Sequence, residues 1–386
     1  MHSRFETDGD RSAMCEAGQS VAILVGTRKG LFVARSDRRR KDWTVEGPHL
    51  AGYEIQSAFL DPRRPKRGYA AAHHPIWGIH VYRSDDAGRS WHALAEVPRH
   101  GRDDSPAELK MIWCLAPGPA ETPEILYAGI EPAGLFSSRD AGASWRPLPG
   151  FNHHPTRPLW SPAKGGLAVH SVQVDPDDPN RLYAALSAGG VFRSDDAGET
   201  WKACNRGVRA PYLPEREPEA GHCVHRLLVH PAGGGRLYQQ SHNGVYLSDD
   251  RGEHWTEITA GLPTDFGYAL ATDAGNRDRL YTVPEHDSQM RTTVDTRLRV
   301  FTTPDAGRHW HVLQRGLPQE NVFVTVRRDG LDSDRLNPIG LYLGTSSGHL
   351  FASGDGGDTW LLVAGFLPGI LSVRAATLTE STEANP

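Results

Sequence analysis

The sequence predicts an all-β chain folded as a seven-bladed β-propeller of four-stranded antiparallel blades. Three observations predict it. First, a short turn of the pattern Ser/Thr-x-Asp-x-Gly-x-x-Trp recurs: SDDAGRSW (Ser84 to Trp91), SRDAGASW (Ser138 to Trp145), SDDAGETW (Ser194 to Trp201), SDDRGEHW (Ser248 to Trp255), TPDAGRHW (Thr303 to Trp310) and SGDGGDTW (Ser353 to Trp360). A worn seventh copy, SDRRRKDW (Ser36 to Trp43), keeps its serine and tryptophan. Second, the tryptophans step by 48, 54, 56, 54, 55 and 50 residues, and seven of the ten in the chain hold this one position. Third, each unit carries short runs of Val, Ile, Leu, Tyr and Phe bounded by Gly, Asp and Pro, which are strand signals. Four strands per unit at this period describe a propeller blade.

Within a unit the strands follow in order. SVQVDP (Ser171 to Pro176) is a first strand, RLYAAL (Arg181 to Leu186) a second, and GVFRSDD (Gly190 to Asp196) a third that runs into the turn. The segment after each tryptophan is the fourth. In the turn, the aspartate accepts hydrogen bonds from nearby backbone N–H groups and the glycine takes a positive φ. The tryptophan opens the outer strand and buries its ring between blades. Asp86, Asp140, Asp196, Asp250, Asp305 and Asp355 therefore read as structural staples rather than catalysts. The chain begins with a second-strand and a third-strand match, VAILVGT and GLFVARS. ILSVRAATL (Ile370 to Leu378) supplies the missing first strand and closes the ring without a free edge. The expected organisation is a disordered arm over 1–20, one propeller over 21–379 and a disordered tail over 380–386.

Composition narrows the function classes. With 38% hydrophobic and 23% charged residues, the chain has an ordinary globular make-up. A net charge of -5 provides no basic surplus for a phosphate backbone, which argues against nucleic acid as a partner. The basic tract RSDRRRKDW (Arg35 to Trp43) reads as a solvated turn. No apolar run reaches the roughly 20 residues of a membrane span. Cys15, Cys114, Cys204 and Cys223 match neither a zinc motif nor a disulfide framework. The N-terminus lacks an apolar signal core. Together these point to a cytoplasmic address with reduced thiols.

The repeated turn resembles that of the Asp-box (BNR-repeat) propellers, and the chain is similar to their bacterial glycosyl hydrolase, sialidase-like type. That group includes sialidases, large xyloglucan hydrolases, sortilin-type receptors and a photosystem assembly factor. The resemblance spans about Val21 to Leu378 and implies the fold more strongly than any activity. Sialidases of the group have six blades and an early Arg-Ile-Pro motif. Seven apparent blades and the lack of Arg-Ile-Pro argue against true sialidase activity here.

Long connections from fourth to first strands share one face with the loops between second and third strands, opposite the Asp turns. That face gathers His73, His74, His170, His225, Lys110, Arg226, Glu54, Glu131, Glu285, Trp77 and Tyr268 around the channel mouth. Convergent polar and aromatic groups mark a site for a small polar ligand or oligosaccharide. Glycoside hydrolysis needs two carboxylates about 5–10 Å apart. Glu131, Glu54 and Glu285 are the candidates, Glu131 first. A polysaccharide or oligouronide lyase is an alternative, by resemblance to propeller lyases, with His170, His225, Tyr268 and Arg226 in its roles. A non-catalytic scaffold for protein partners is another. The sequence requires no cofactor, although several imidazoles facing one channel could hold a divalent metal such as Zn or Mn.

Overall fold

The computed structural model describes residues 18–101, 108–162, 166–215 and 217–379. Residues 1–17 of the expected arm (1–20) and the expected tail (380–386) lie outside these residues, while Gln19 and Ser20 belong to a strand. Among them are seven four-stranded antiparallel sheets, each ordered from first to fourth strand as the repeat predicts. The first strands are Glu54–Leu60, Met111–Pro117, Val169–Asp175, Val224–Val229, Gly267–Asp273, Leu331–Ser333 and, for blade 1, Ile370–Thr379. Each touches the first strand of the next blade in cyclic succession, so these strands line the central channel.

The ring closes as expected. Ile370–Thr379 pairs antiparallel with Gln19–Thr27, from Gln19 opposite Thr379 to Thr27 opposite Ile370. Blade 1 begins at Gln19, two residues before the expected start of the propeller. The basic tract of blade 1 is not wholly solvated, which corrects the sequence reading. Arg40 is buried, and its guanidinium pairs with Asp334 Oδ2 (2.9 Å) and donates to the Pro338 and Gly354 carbonyls of blade 7. In the worn turn Arg40 stands at the glycine position, with a φ of 56°, and forms a second clasp between the first and last blades.

Blades are held together by apolar faces. The tyrosine of each RLY-type second strand is fully buried: Tyr69, Tyr183, Tyr238, Tyr281 and Tyr342. Tyr183 and Val191 of blade 4, for example, pack with Leu227, Leu237 and Trp255 of blade 5.

The repeated turns lie between third and fourth strands. In blade 4, Ser194 Oγ donates to Asp196 Oδ1 (2.7 Å) and accepts from the Gly198 N–H (2.8 Å). Asp196 accepts from the Thr200 N–H (2.9 Å) and hydroxyl (2.5 Å). Asp86, Asp140, Asp250, Asp305 and Asp355 accept the matching N–H four residues on. Two consecutive residues take positive φ, as Ala197 (58°) and Gly198 (97°) do, where the sequence suggested only the glycine. Tryptophan precedes the fourth strand rather than opening it: Lys202–Ala203 follows Trp201.

Candidate functional site

The first strands do not run straight to the channel mouth. Six of the seven shift register near that end, in each case by an extra residue. The shifts fall between Ile55 and Ser57, Ile112 and Cys114, Val169 and Ser171, Val224 and Arg226, and Gly267 and Leu270. In blade 1 the partners step from Ser372 to Ile370. A bulge leaves one residue unpaired and re-aims its side chain. Five residues at these bulges, Gln56, Trp113, His225, Tyr268 and Leu371, line a cavity of about 460 Å³. The rest of its wall comes from the same end of the other strands: Ser187, Cys223, His242, Phe266, Ser288, Arg291, Thr325, Arg327 and Arg328. Every blade contributes, which places the cavity at the channel mouth, opposite the Asp turns.

Arg327 and Arg328 lie just ahead of the first strand of blade 7. That strand is only Leu331–Ser333, so the preceding residues fold across the mouth instead. The Arg328 guanidinium lies 5.3 Å from the Trp113 ring centroid and 5.6 Å from that of Tyr268. It donates to Ser187 Oγ at 3.4 Å, and its Nε has no partner. Arg327 Nε is likewise buried without a partner. Burial pushes the pKa of both guanidiniums down. Arg291 donates to the Ser288 carbonyl (3.0 Å). Among the described residues none of the three is ion-paired to a carboxylate, whereas the buried Arg40 and the half-buried Arg63 are.

Of the residues the sequence places on this face, His225 and Tyr268 line the cavity, as do His242 and Trp113. The His225 and Tyr268 rings stack at 4.6 Å. His225 Nδ1 donates to the Gly267 carbonyl (2.6 Å). His170 occupies the equivalent bulge in blade 4, but both ring nitrogens are engaged, Nε2 with the Val224 carbonyl (2.9 Å) and Nδ1 with Ser171 Oγ (3.1 Å). Burial, with Arg328 next, holds its pKa well below the ordinary histidine value, so it serves as a neutral strut between blades.

Arg226 is turned away from the ligand role by a buried ion pair with Asp329, which Arg374 also contacts (2.6 Å). His73, His74 and Trp77 stand apart on the rim of blade 2. His74 stacks on Trp77 at 4.1 Å and accepts from the Ile76 and Trp77 N–H groups, and Trp77 is 61% exposed. Trp160, another aromatic on this face, is buried against Phe151 and Phe192.

The three carboxylates do not meet in the cavity wall. Glu131 accepts from Trp113 Nε1 (3.0 Å) and lies 3.9 Å from the exposed Lys110 ammonium. It orients an aromatic wall residue. Glu54 opens its first strand opposite His73 and acts electrostatically on Arg327. Glu285 lies behind the wall, 1% exposed, where Oε1 accepts from the Val326 N–H (2.9 Å) and Oε2 has no partner. Burial pushes its pKa up to about 8, against Arg291 and Arg327.

Comparison with known proteins finds similarity to xyloglucanases in sequence and to seven-bladed propellers in fold. No known family profile matches the chain. It is 30% identical over 199 residues to a probable oligoxyloglucan-reducing end-specific xyloglucanase of Neosartorya fischeri, covering 50% of this chain and 22% of the relative. With the Emericella nidulans oligoxyloglucan-reducing end-specific xyloglucanase it shares 24% identity over 328 residues, 74% of this chain and 39% of the relative. The chain thus spans well under half the length of these relatives. Among solved structures, YCF48 bound to D1 peptide superposes with a TM-score of 0.52 at 16% identity, covering 89% of this chain and 85% of the other. The Niastella koreensis GH74 enzyme gives 0.52 at 14%, covering 90% and 65%. The chain is similar to glycosyl hydrolases built on propellers.

Proposed function

We propose that this is an Asp-box propeller of the glycosyl-hydrolase-like type that binds a short, carboxylate-bearing oligosaccharide at the channel mouth. One observation carries the reading: Arg291, Arg327 and Arg328 converge on one cavity without carboxylate partners. Buried cations need compensation, and a guanidinium matches a sugar carboxylate in a forked geometry. Trp113 and Tyr268 offer apolar faces to a pyranose ring, and the cavity has the size of a small-ligand site. The similarity to xyloglucanases supports a carbohydrate over other small anions. The unpaired thiols of Cys114, Cys204 and Cys223 fit a cytoplasmic setting.

Hydrolysis is a second reading, favoured by Glu285. A carboxylic acid that keeps its proton near neutrality is suited to protonate a leaving oxygen. No carboxylate lines the cavity among the described residues, so binding is the primary reading.

The test is a thermal-shift screen of acidic against neutral oligosaccharides. Ligand binding to the native state raises the melting temperature by mass action. Uronate oligomers raise it and neutral xyloglucan fragments do not. Equal shifts with both sets would overturn the acidic-sugar assignment. A flat screen would move the function to a protein-binding platform.

A further inference from the structure

One cluster in the cavity wall has no role in sugar binding through the arginines. Cys223, His225 and His242 come from two adjoining stretches of blade 5. Cys223 immediately precedes the first strand Val224–Val229, which contains His225, and His242 follows the second strand Leu237–Ser241. The His242 N–H donates to the Cys223 carbonyl (2.9 Å), which clamps the two stretches together. One thiol sulfur and one nitrogen from each imidazole all lie within 4.8 Å of one another.

We propose that Cys223, His225 and His242 form a zinc-type metal centre whose fourth position opens into the channel-mouth cavity. The centre stands on these three residues and is independent of the sugar reading. In a four-coordinate site with Zn–S of about 2.3 Å and Zn–N of about 2.0 Å, the ligand atoms lie roughly 3.3–3.5 Å apart. The widest separation here is closed by about 1 Å of side-chain movement.

The hydrogen bonding sets out the ligand atoms. A carbonyl only accepts, so the contact to Gly267 fixes the proton of His225 on Nδ1 and leaves Nε2 with its lone pair. The contrast with His170 is direct, since both nitrogens of that bulge histidine are occupied. No hydrogen bond among the described residues reaches a ring nitrogen of His242, and none joins the three side chains to one another. Phe266 packs edge-on against both imidazoles, at 5.2 and 5.3 Å, and Tyr268 covers one face of His225. These aromatics hold the rings in orientation and limit water.

Chemistry selects the ion. One thiolate with two imidazoles and an open position suits zinc rather than the hard, oxygen-seeking magnesium or calcium. Binding releases the Cys223 thiol proton to solvent, and the resulting centre carries one net positive charge. Arg291 and Arg328 line the same cavity, so the fourth position takes an anionic oxygen, a carboxylate or hydroxide.

The test uses chelator-treated full-length protein titrated with Co2+, then Zn2+. The expected result is one equivalent of Co2+ per chain, with a thiolate-to-cobalt charge-transfer band and the strong visible bands of four-coordinate cobalt, displaced by Zn2+. Cys223→Ser removes the charge-transfer band, and His242→Ala weakens binding at least about tenfold. Zn2+ also protects Cys223 of the unaltered protein from alkylation, a readout that needs no variant to fold. Glucuronate perturbs the cobalt spectrum. Uptake of Co2+ with no charge-transfer band, or unchanged Cys223 alkylation with Zn2+ present, overturns the centre. A cobalt spectrum indifferent to every carboxylate overturns the assignment of the fourth position.

Discussion

The Trp113 indole donates to Glu131 Oε2 at 3.0 Å, and the other side of this contact is the Arg328 guanidinium over the Trp113 ring. Glu131 therefore acts through Trp113. In this arrangement it is a positioning residue, held between Trp113 and Lys110. Glu131→Gln keeps an acceptor for the indole and leaves ligand affinity within about threefold. Glu131→Leu frees Trp113 and lowers affinity about tenfold, the order expected from losing one hydrogen bond to a charged group. Titration calorimetry of the two variants separates these outcomes. Gly166 reports on the same carboxylate, because a Cβ there would collide with Glu131 Oε1 at a φ of +84°. Gly166→Ala should reproduce the Glu131→Leu phenotype.

Glu285 makes stability depend on pH. Its carboxyl binds a proton more tightly when folded, with a pKa of about 8 against an ordinary 4.5, because burial disfavours the charge. Between these values the folded state holds more protons than the unfolded state, so stability falls as pH rises from about 4.5 to about 8. The slope approaches 1.4 kcal/mol per pH unit, to order of magnitude. Glu285→Gln mimics the protonated acid, keeps the acceptor for Val326 and flattens that slope. Urea denaturation at pH 5, 6, 7 and 8 checks it (~1-unit steps suffice).

The Asp turns predict the opposite behaviour in acid. Burial opposes ionisation of Asp196, but together the hydroxyl and N–H of Thr200 and the hydroxyl of Ser194 outweigh it and hold its pKa below the usual aspartate value. Protonation as pH falls through this depressed range removes the stabilisation. Asp196→Ala should cost about 1–2 kcal/mol at neutral pH, comparable to losing a helix cap, and leave ligand affinity unchanged. Ala197→Gly relieves a positive φ and should be neutral or slightly stabilising. Chemical denaturation of both variants measures these effects.

Ring closure is a third determinant of stability. Asp334 is fully buried, and Arg40 is its ion-pair partner across the first and last blades. Arg40→Met leaves that carboxylate without its cation, which costs roughly 3–5 kcal/mol. Truncation after Gly369 removes the strand that completes blade 1 and should prevent cooperative unfolding. Calorimetry distinguishes a shifted transition from a lost one.

The sequence revealed the blades because seven tryptophans and six Ser/Thr–Asp turns recur in fixed register, each with a local physical reason. Even the closing strand could be read, since Ile370 to Leu378 matches the first-strand pattern. The cavity was harder to read because it is built on bulges. Side chains in a strand alternate faces, and one extra residue reverses the alternation. Nothing in GYALATD or MIWCLAP marks Tyr268 or Trp113 as the shifted residue. The RRDG segment at Arg327 to Gly330 did carry a signal, a pair of arginines ahead of an unusually weak first strand. His170 and His225 occupy equivalent sequence positions, and only their hydrogen bonds separate a strut from a cavity residue.

The most direct test is titration calorimetry of a uronate trisaccharide against the native protein and Arg328→Met, at low and high salt. The account predicts saturable one-site binding to the native protein, weakened by salt, and at least about tenfold weaker binding to a folded Arg328→Met. Equal affinity in the two proteins, or tighter binding of the neutral sugar of the same length, would contradict it.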